Sequence, residues 1–293
     1  MDSPFWHYQA RFDVPGIIRR YAAGPQEAKE NYALNYFGVV IDPKFFPEQL
    51  QKLAGTVEVD VIPANWHADM AEFGAALRAI DLSGDTFTVV ELGCHWGCWI
   101  NITGVAARRS GKKVRAIGIE GEPNHAAFAL ESTATNGFKL DEVRIHHGVV
   151  APQSGTAFFP PEGSGLDPII NGTAEEQIQA ANSGLYHEIP AVGFSDLIEG
   201  INRVDLLHID IQGGEANLVS SSLDFLNEHV AYMMIGTHSR VIEGRLCQEL
   251  LDAGWQLEVE RPAIMDVTDA PVTRVDGVQG WRNPRLTSQT IRS

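Results

Sequence analysis

The segment Glu91-Leu-Gly93-Cys94-His95-Trp-Gly97 spaces an acid and two glycines as acid-x-Gly-x-x-x-Gly, directly after the β-branched run Thr86-Phe-Thr-Val-Val. Between a strand and a helix such a loop makes a site for a nucleoside-like ligand. Gly93 permits the tight turn, Gly97 lets backbone or ligand approach closely, and the helix beyond presents free N–H groups. The pyrophosphate spacing Gly-x-Gly-x-x-Gly is absent, and an acid at the strand end suits a ligand that carries an amino group. Glu91, Gly93, Cys94, His95 and Gly97 are therefore the first candidates for ligand contact. Glu120, followed by Gly121, ends a second apolar run, where an acid can accept both hydroxyls of a ribose. Glu122 is its rival, but before Pro123 it falls in a first helical turn, where an acid is favoured anyway.

A second constellation is Leu206-Leu-His208-Ile-Asp210-Ile-Gln212-Gly-Gly-Glu215. A two-residue period puts His208, Asp210 and Gln212 on one face. The next apolar run ends in Gly236-Thr-His238-Ser-Arg240, with Glu243 one turn on. Ligands of open α/β sheets bind beyond the carboxyl ends of the strands, so Asp210 and His238 are expected to face the same crevice as Gly93. His238 is the candidate general base, oriented by Asp210 or Glu243; the alternative assigns Asp210 and His238 to a divalent, magnesium-like cation. Two rival chemistries are weaker. His208, Asp210 and His238 imitate the two-histidine, one-carboxylate iron site of oxygenases, but those enzymes are built on antiparallel barrels. Cys94 and Cys98 begin a radical iron–sulfur spacing, yet the third position is Asn101, and two thiolates cannot hold the cluster. His146 and His147 end a third apolar run, and Gly148 and Val149 after them are expected to border an adenine. His67 is a further candidate for cofactor contact. Trp66, Trp255 and Trp281 are either core or platforms for a sugar.

What must position these residues is a sheet. Strands are expected at residues 86–90, 114–119, 143–147, 204–210, 231–237 and 255–260. Between them lie helices stopped by Gly111, by Asn136-Gly137 and by Gly254. Strands alternating with helices imply an α/β fold, a mostly parallel sheet with helices on both faces. Residues 151–191 interrupt the rhythm with turn-rich sequence. They read as an insertion holding a β-hairpin that helps to form the acceptor pocket. Residues 1–80 read as a mostly helical extension, with helices over 24–37, 45–55 and 66–80, that caps the site or forms the face of a homo-oligomer; residues 81–293 form the main domain. The end of the chain, Asp276 to Leu286, is polar apart from Trp281.

Composition narrows the partners. Hydrophobic residues make up 44% of the 293 and charged residues 20%, as in an ordinary globular protein. The net charge of −16 repels phosphate backbones and anionic membranes, so neither nucleic acid nor membrane is an expected partner. It tolerates a cationic ligand. Met1 to Trp6 lack the blocks of a signal peptide, no apolar run is long enough to span a bilayer, and three cysteines do not make a disulfide framework. A cytoplasmic protein is expected.

Val89-Val-Glu-Leu-Gly-Cys-His-Trp-Gly, Ile117-Gly-Ile-Glu-Gly-Glu-Pro and Asp205-Leu-Leu-His-Ile-Asp-Ile-Gln-Gly-Gly-Glu resemble, in order and spacing, the FkbM-type class I methyltransferases. Ile235-Gly-Thr-His-Ser-Arg and Gly280-Trp-Arg-Asn-Pro-Arg resemble a branch of that family. The resemblance covers residues 66 to 285. It implies a Rossmann-like, seven-stranded fold, S-adenosylmethionine as methyl donor, and O-methylation of a sugar or another small natural-product acceptor. Glu91 would then hold the methionine amino group, backbone groups of Gly93, Cys94 and His95 would line its chain, and Glu120 would hold the ribose. Two positions depart from the family, which commonly has Lys at His208 and Glu at Gln212. A non-catalytic S-adenosylmethionine-binding protein would keep the loop without needing Asp210 and His238 at the strand ends.

Overall fold

The computed structural model describes residues 7–161, 164, 168–268 and 271–287; the expectation for Met1 to Trp6 lies outside them. Alternate residues of the central strands go to opposite cores, which is what makes their sequences continuously apolar. β1 (Thr86–Leu92) sends Phe87 and Val89 to one apolar cluster and Val90 and Leu92 to another. β2 (Lys113–Glu120) divides Val114 and Ala116 from Ile117 and Ile119 in the same way. β3 (Val143–His147) forms the far edge. β4 (Leu206–Ile209) and β5 (Tyr232–Thr237) repeat the division, Leu206 and Met234 against Leu207 and Met233. The first face is covered by α1 (Met70–Leu82), α2 (Cys98–Arg109) and Ala129 of α3 (Pro123–Thr135). The second is covered by α4 (Glu215–His229) and α5 (Arg240–Asp252).

The sheet closes with β6 (Gln256–Arg261) and β7 (Gly277–Arg282). Its order is β6-β7-β5-β4-β1-β2-β3, with a two-residue strand, Gln9–Ala10, added antiparallel outside β6. β7 runs antiparallel to both β5 and β6, whereas the β5-β4-β1-β2-β3 pairings are parallel. A parallel sheet whose last strand inserts antiparallel beside the fifth is the class I methyltransferase fold. No helix of the described residues is long and apolar enough to cross a membrane.

Three regions differ from the sequence expectation. The polar end of the chain is a central strand, every residue of β7 being buried. Its polar side chains are answered in pairs: Trp281 Nε1 donates to Gln279 Oε1 at 3.0 Å and Arg282 Nε to Glu258 Oε1 at 2.7 Å. Residues 24–55 hold only a four-residue helix, Pro47–Leu50, with short 3-10 turns at Pro43–Phe45 and Gln51–Leu53 and a small hairpin pairing Ala33–Leu34 with Val40–Ile41. The buried residues Ala33, Leu34, Phe37, Val39, Val40 and Ile41 are clustered along the chain rather than spaced by threes and fours. The Asn35 carboxamide also takes the N–H groups of Phe37 and Val39, an alternative to helix bonds. α1 starts at Met70, not Trp66, because Asp69 and Glu72 form a reciprocal capping box there; the expected stripe Met70, Phe73, Leu77 and Ile80 is buried. The insertion is larger than a hairpin: strands Val149–Ala151, His187–Gly193, Gly155–Phe159 and Ile169–Ile170 form a second sheet, with a helix at Ala174–Ser183. Glu162, Gly163 and Gly165 of the turn-rich run lie outside the described residues.

Two outcomes follow from this packing. Trp281, fully buried between the sheet and the second cluster, is expected to lower unfolding free energy by about 3–5 kcal/mol when replaced by Ala, read from urea denaturation. His67 packs against Trp66, Phe73 and Trp99, and burial pushes its pKa down to about 3. Because the folded value lies below the unfolded one of about 6.5, its contribution to stability is complete above that pH and is lost as the pH falls towards 3. The urea midpoint should therefore decline between pH 7 and pH 4.5, and His67→Leu should flatten that decline; parallel curves for the two proteins would refute it.

Candidate active site

The glycine loop leaves β1 by a sharp turn. Gly93 has φ +76°, and a Cβ placed there would lie 2.0 Å from the carbonyl oxygen of Asp210, so the loop sits directly on the end of β4. The N–H groups of Gly93 and Cys94 both donate to Ile119 O at 3.0 Å. His95 N–H donates to Glu120 Oε2 at 2.8 Å, Trp96 N–H to His95 Nδ1, and Gly97 N–H to Cys94 O. All five N–H groups thus have partners inside the protein. Gly97, again at φ +76°, caps α2. The His95 ring stacks on Phe46 at 4.5 Å and lies 3.7 Å from His125. Burial, aided by His125, lowers its pKa to about 4.

The expected ribose end assembles around Glu120. Its carboxylate accepts from His95 and Glu122 N–H and keeps further lone pairs at a half-buried position. Glu122 is the N-cap of α3, accepting from His125 N–H, so it is occupied as a cap. Gly121 lies against the Phe159 ring of the inserted sheet. Gly148 donates to Glu120 O at 2.9 Å, and Val149 opens the inserted sheet beside Ala191. Glu120, Gly121, Gly148 and Val149 are therefore neighbours, and Phe159 adds a ring beside them that sequence reasoning did not single out.

Glu91 is placed differently from expectation. It is buried, and its two oxygens accept from Trp99 and Ile100 N–H at 3.1 and 3.0 Å, where the positive end of α2 favours an anion. His208 lies beside it, Nδ1 at 3.7 Å from Glu91 Oε1. That removes the oxygenase reading: His208 joins Glu91, while Asp210 and His238 group with another acid.

That acid is Glu215. Nδ1 of His238 lies 2.9 Å from Glu215 Oε1, Nε2 lies 3.3 Å from Asp210 Oδ1, and Asp276 Oδ2 stands 3.9 Å from Nε2. Burial acts to lower the His238 pKa, but the carboxylates, Glu215 above all, carry it above its ordinary value. Glu215 heads α4 after the Gly213-Gly214 turn and accepts from the N–H groups of Ile211 and Gly213. It stands in the motif already quoted, and its signal was an acid opening a helix right after a strand-end aspartate. Glu243, the other expected orienting group, is engaged with other partners. It is buried and accepts from Thr237 Oγ1 and Ala263 N–H.

Further groups reach the crevice from elements the sequence did not connect with it. Arg261, at the end of β6, pairs with Asp69 and donates to Asp276 O. Burial, with the charges of Asp69 and Asp210, pushes the Glu72 carboxyl up to about 8 despite the Asp69 N–H and Arg261. Thr273 donates to the His238 carbonyl at 2.8 Å. Of the tryptophans, Trp255 and Trp281 are core, and Trp66 meets Phe46 edge-on and stacks with Trp96 near the loop.

No described protein-family profile matches the chain. A protein of Jannaschia sp. (strain CCS1) named "Putative methyltransferase" is 38% identical over 275 residues, which cover 92% of this chain and 98% of that one. Among solved structures, methyltransferase FkbM from Methylobacillus flagellatus KT aligns over 72% of this chain and 54% of its own, with 13% identity and a TM-score of 0.46. TrmK of M. capricolum, solved with S-adenosyl-homocysteine, aligns over 71% and 67% respectively, with 11% identity and a TM-score of 0.36. By its identity to the Jannaschia protein along nearly the whole of both sequences, the chain belongs to a family of methyltransferases.

Proposed function

We propose that the protein methylates a hydroxyl of a sugar or similar small polyhydroxylated acceptor, with S-adenosylmethionine as donor, and that it is of the FkbM type. The observation that carries this reading is the contact of Gly93 with the Asp210 carbonyl. It joins the nucleoside-type loop to the His238 centre, so a donor at the loop and an acceptor at His238 share one crevice. The residues suit the donor: Glu120 keeps acceptor lone pairs for a ribose, and Glu91, Glu120 and Asp210 surround the loop with negative charge, which favours a sulfonium. When bound, the donor supplies an electrophilic methyl whose bond to sulfur breaks as the bond to the acceptor oxygen forms. The protein's share is alignment, worth up to about 7–11 kcal/mol, and activation of the hydroxyl at the His238 centre so that its proton is lost as the bond to the methyl forms. The net charge of −16 favours a small acceptor over nucleic acid.

Two measurements test the two halves separately. By calorimetry, Gly93→Ala and Glu120→Ala should each weaken S-adenosylhomocysteine binding at least about tenfold, since a Cβ at residue 93 would push the loop off the Asp210 carbonyl and loss of the Glu120 carboxylate removes its acceptors. His238→Ala should leave that binding within about twofold and lower methyl transfer to a sugar acceptor by about 10²–10⁴. Undiminished binding in both loop variants would sink the donor site, and undiminished turnover in His238→Ala would sink the acceptor site.

A further inference from the structure

A general base needs one ring nitrogen held and the other within about 2.6–3.2 Å of the proton it removes. At His238 both nitrogens already face carboxylates, Glu215 at 2.9 Å and Asp210 at 3.3 Å, with Asp276 behind. Three acids thus surround one imidazole. Glu215 is wholly buried, and while its Oε1 takes two N–H groups, its Oε2 has no hydrogen-bond partner among the described residues. A buried carboxylate oxygen left unanswered is costly unless a donor or cation meets it. One ligand atom each from Asp210, Glu215 and His238 lie within 4.8 Å of one another, a spread that bonds of about 2.0–2.4 Å to a single ion accommodate.

We propose that Asp210, Glu215 and His238 hold a divalent cation, with Asp276 at the rim. Two carboxylates and one imidazole suit a first-row ion such as Mn²⁺. This rests on the acceptor crevice proposed above and names what activates the hydroxyl there: the cation stabilises the charge on the oxygen as its O–H bond breaks, the electron pair stays on oxygen for attack on the methyl carbon, and the proton leaves to water past the exposed Asp210 and Asp276.

Mn²⁺ alone is the probe. Chelator-stripped protein titrated with Mn²⁺, followed by the electron paramagnetic resonance of the free ion, should bind one equivalent per chain. Glu215→Gln and Asp210→Asn should each weaken that binding at least about tenfold, with S-adenosylhomocysteine affinity kept in Glu215→Gln. Asp210→Asn guards against a folding defect in the buried Glu215 variant. No Mn²⁺ bound by the unaltered protein, or equal affinity in both variants, overturns the cation site. Because Mn²⁺ is titrated without donor, failure of the unaltered protein to bind S-adenosylhomocysteine would count against the donor site and leave the cation site standing.

Discussion

Everything in this crevice depends on Gly93 lying against the carbonyl of Asp210. β1 and β4 are parallel neighbours, paired up to Leu92 and Ile209, and Asp210 N–H then donates to Leu92 O one step beyond the strand. With the ladder continued there, the β1 chain has no room to run on and must turn at once, in a conformation that favours glycine. It turns towards β2, where Ile119 O accepts two loop N–H groups and Glu120 a third. Three strand ends are thereby tied together by backbone. The loop and the end of β4 that leads to the His238 centre are fixed relative to each other by these bonds.

The same arrangement explains how a chain of charge −16 keeps acids inside. Glu91, Glu215, Glu243 and Glu258 are all buried. Glu91 is met by two N–H groups at the head of α2, Glu243 by Thr237 and Ala263 on one oxygen and by the Arg240 guanidinium at 3.5 Å on the other, and Glu258 by Arg78 and Arg282. Each of these three has both oxygens answered or a guanidinium beside it, which is what burial of a charge requires. Glu215 is the exception in kind, since its second oxygen is left over and its neighbour is a histidine shared with Asp210. Structural acids and the acid of the centre are separated by this accounting rather than by burial.

The sheet was legible because its strands are apolar runs ending at glycines and acids, and periodicity reports such patterns well. β7 was not, because Gln279 and Arg282 are buried by pairing with Trp281 and Glu258, partners that only the fold supplies. The N-terminal segment failed for the opposite reason: its clustered apolar residues carry no period, and Asn35 competes with helix bonds. At the site, spacing along the chain expected Asp210 and His238 in one crevice, where they lie 3.3 Å apart, but named Glu243 and not Glu215 as the further acid. Glu215 opens its helix after the Gly213-Gly214 turn, whereas Glu243 lies in the first turn of its helix and is taken by Thr237 and Ala263, partners that only the fold supplies. At Glu91 the sequence did not show the helix contact, because an acid at a strand end can serve a ligand or the next helix, and here both oxygens accept from the helix.

The N-terminal segment also bears on the ligand. It is packed into the same cluster as the sheet's first face, with Phe45 stacked on Trp96 and Phe46 on His95. Gln9–Ala10 lengthens the sheet beyond β6. Its aromatic rings close one side of the glycine loop and remove water from His95, which is why that ring's pKa falls to about 4. A protonated histidine in the loop would put a cation beside the donor site. Held neutral between Phe46 and His125, His95 instead leaves Glu91, Glu120 and Asp210 as the charges around the loop. That balance leaves the surroundings of the loop negative, so the segment outside the family motifs helps to set the charge around the loop.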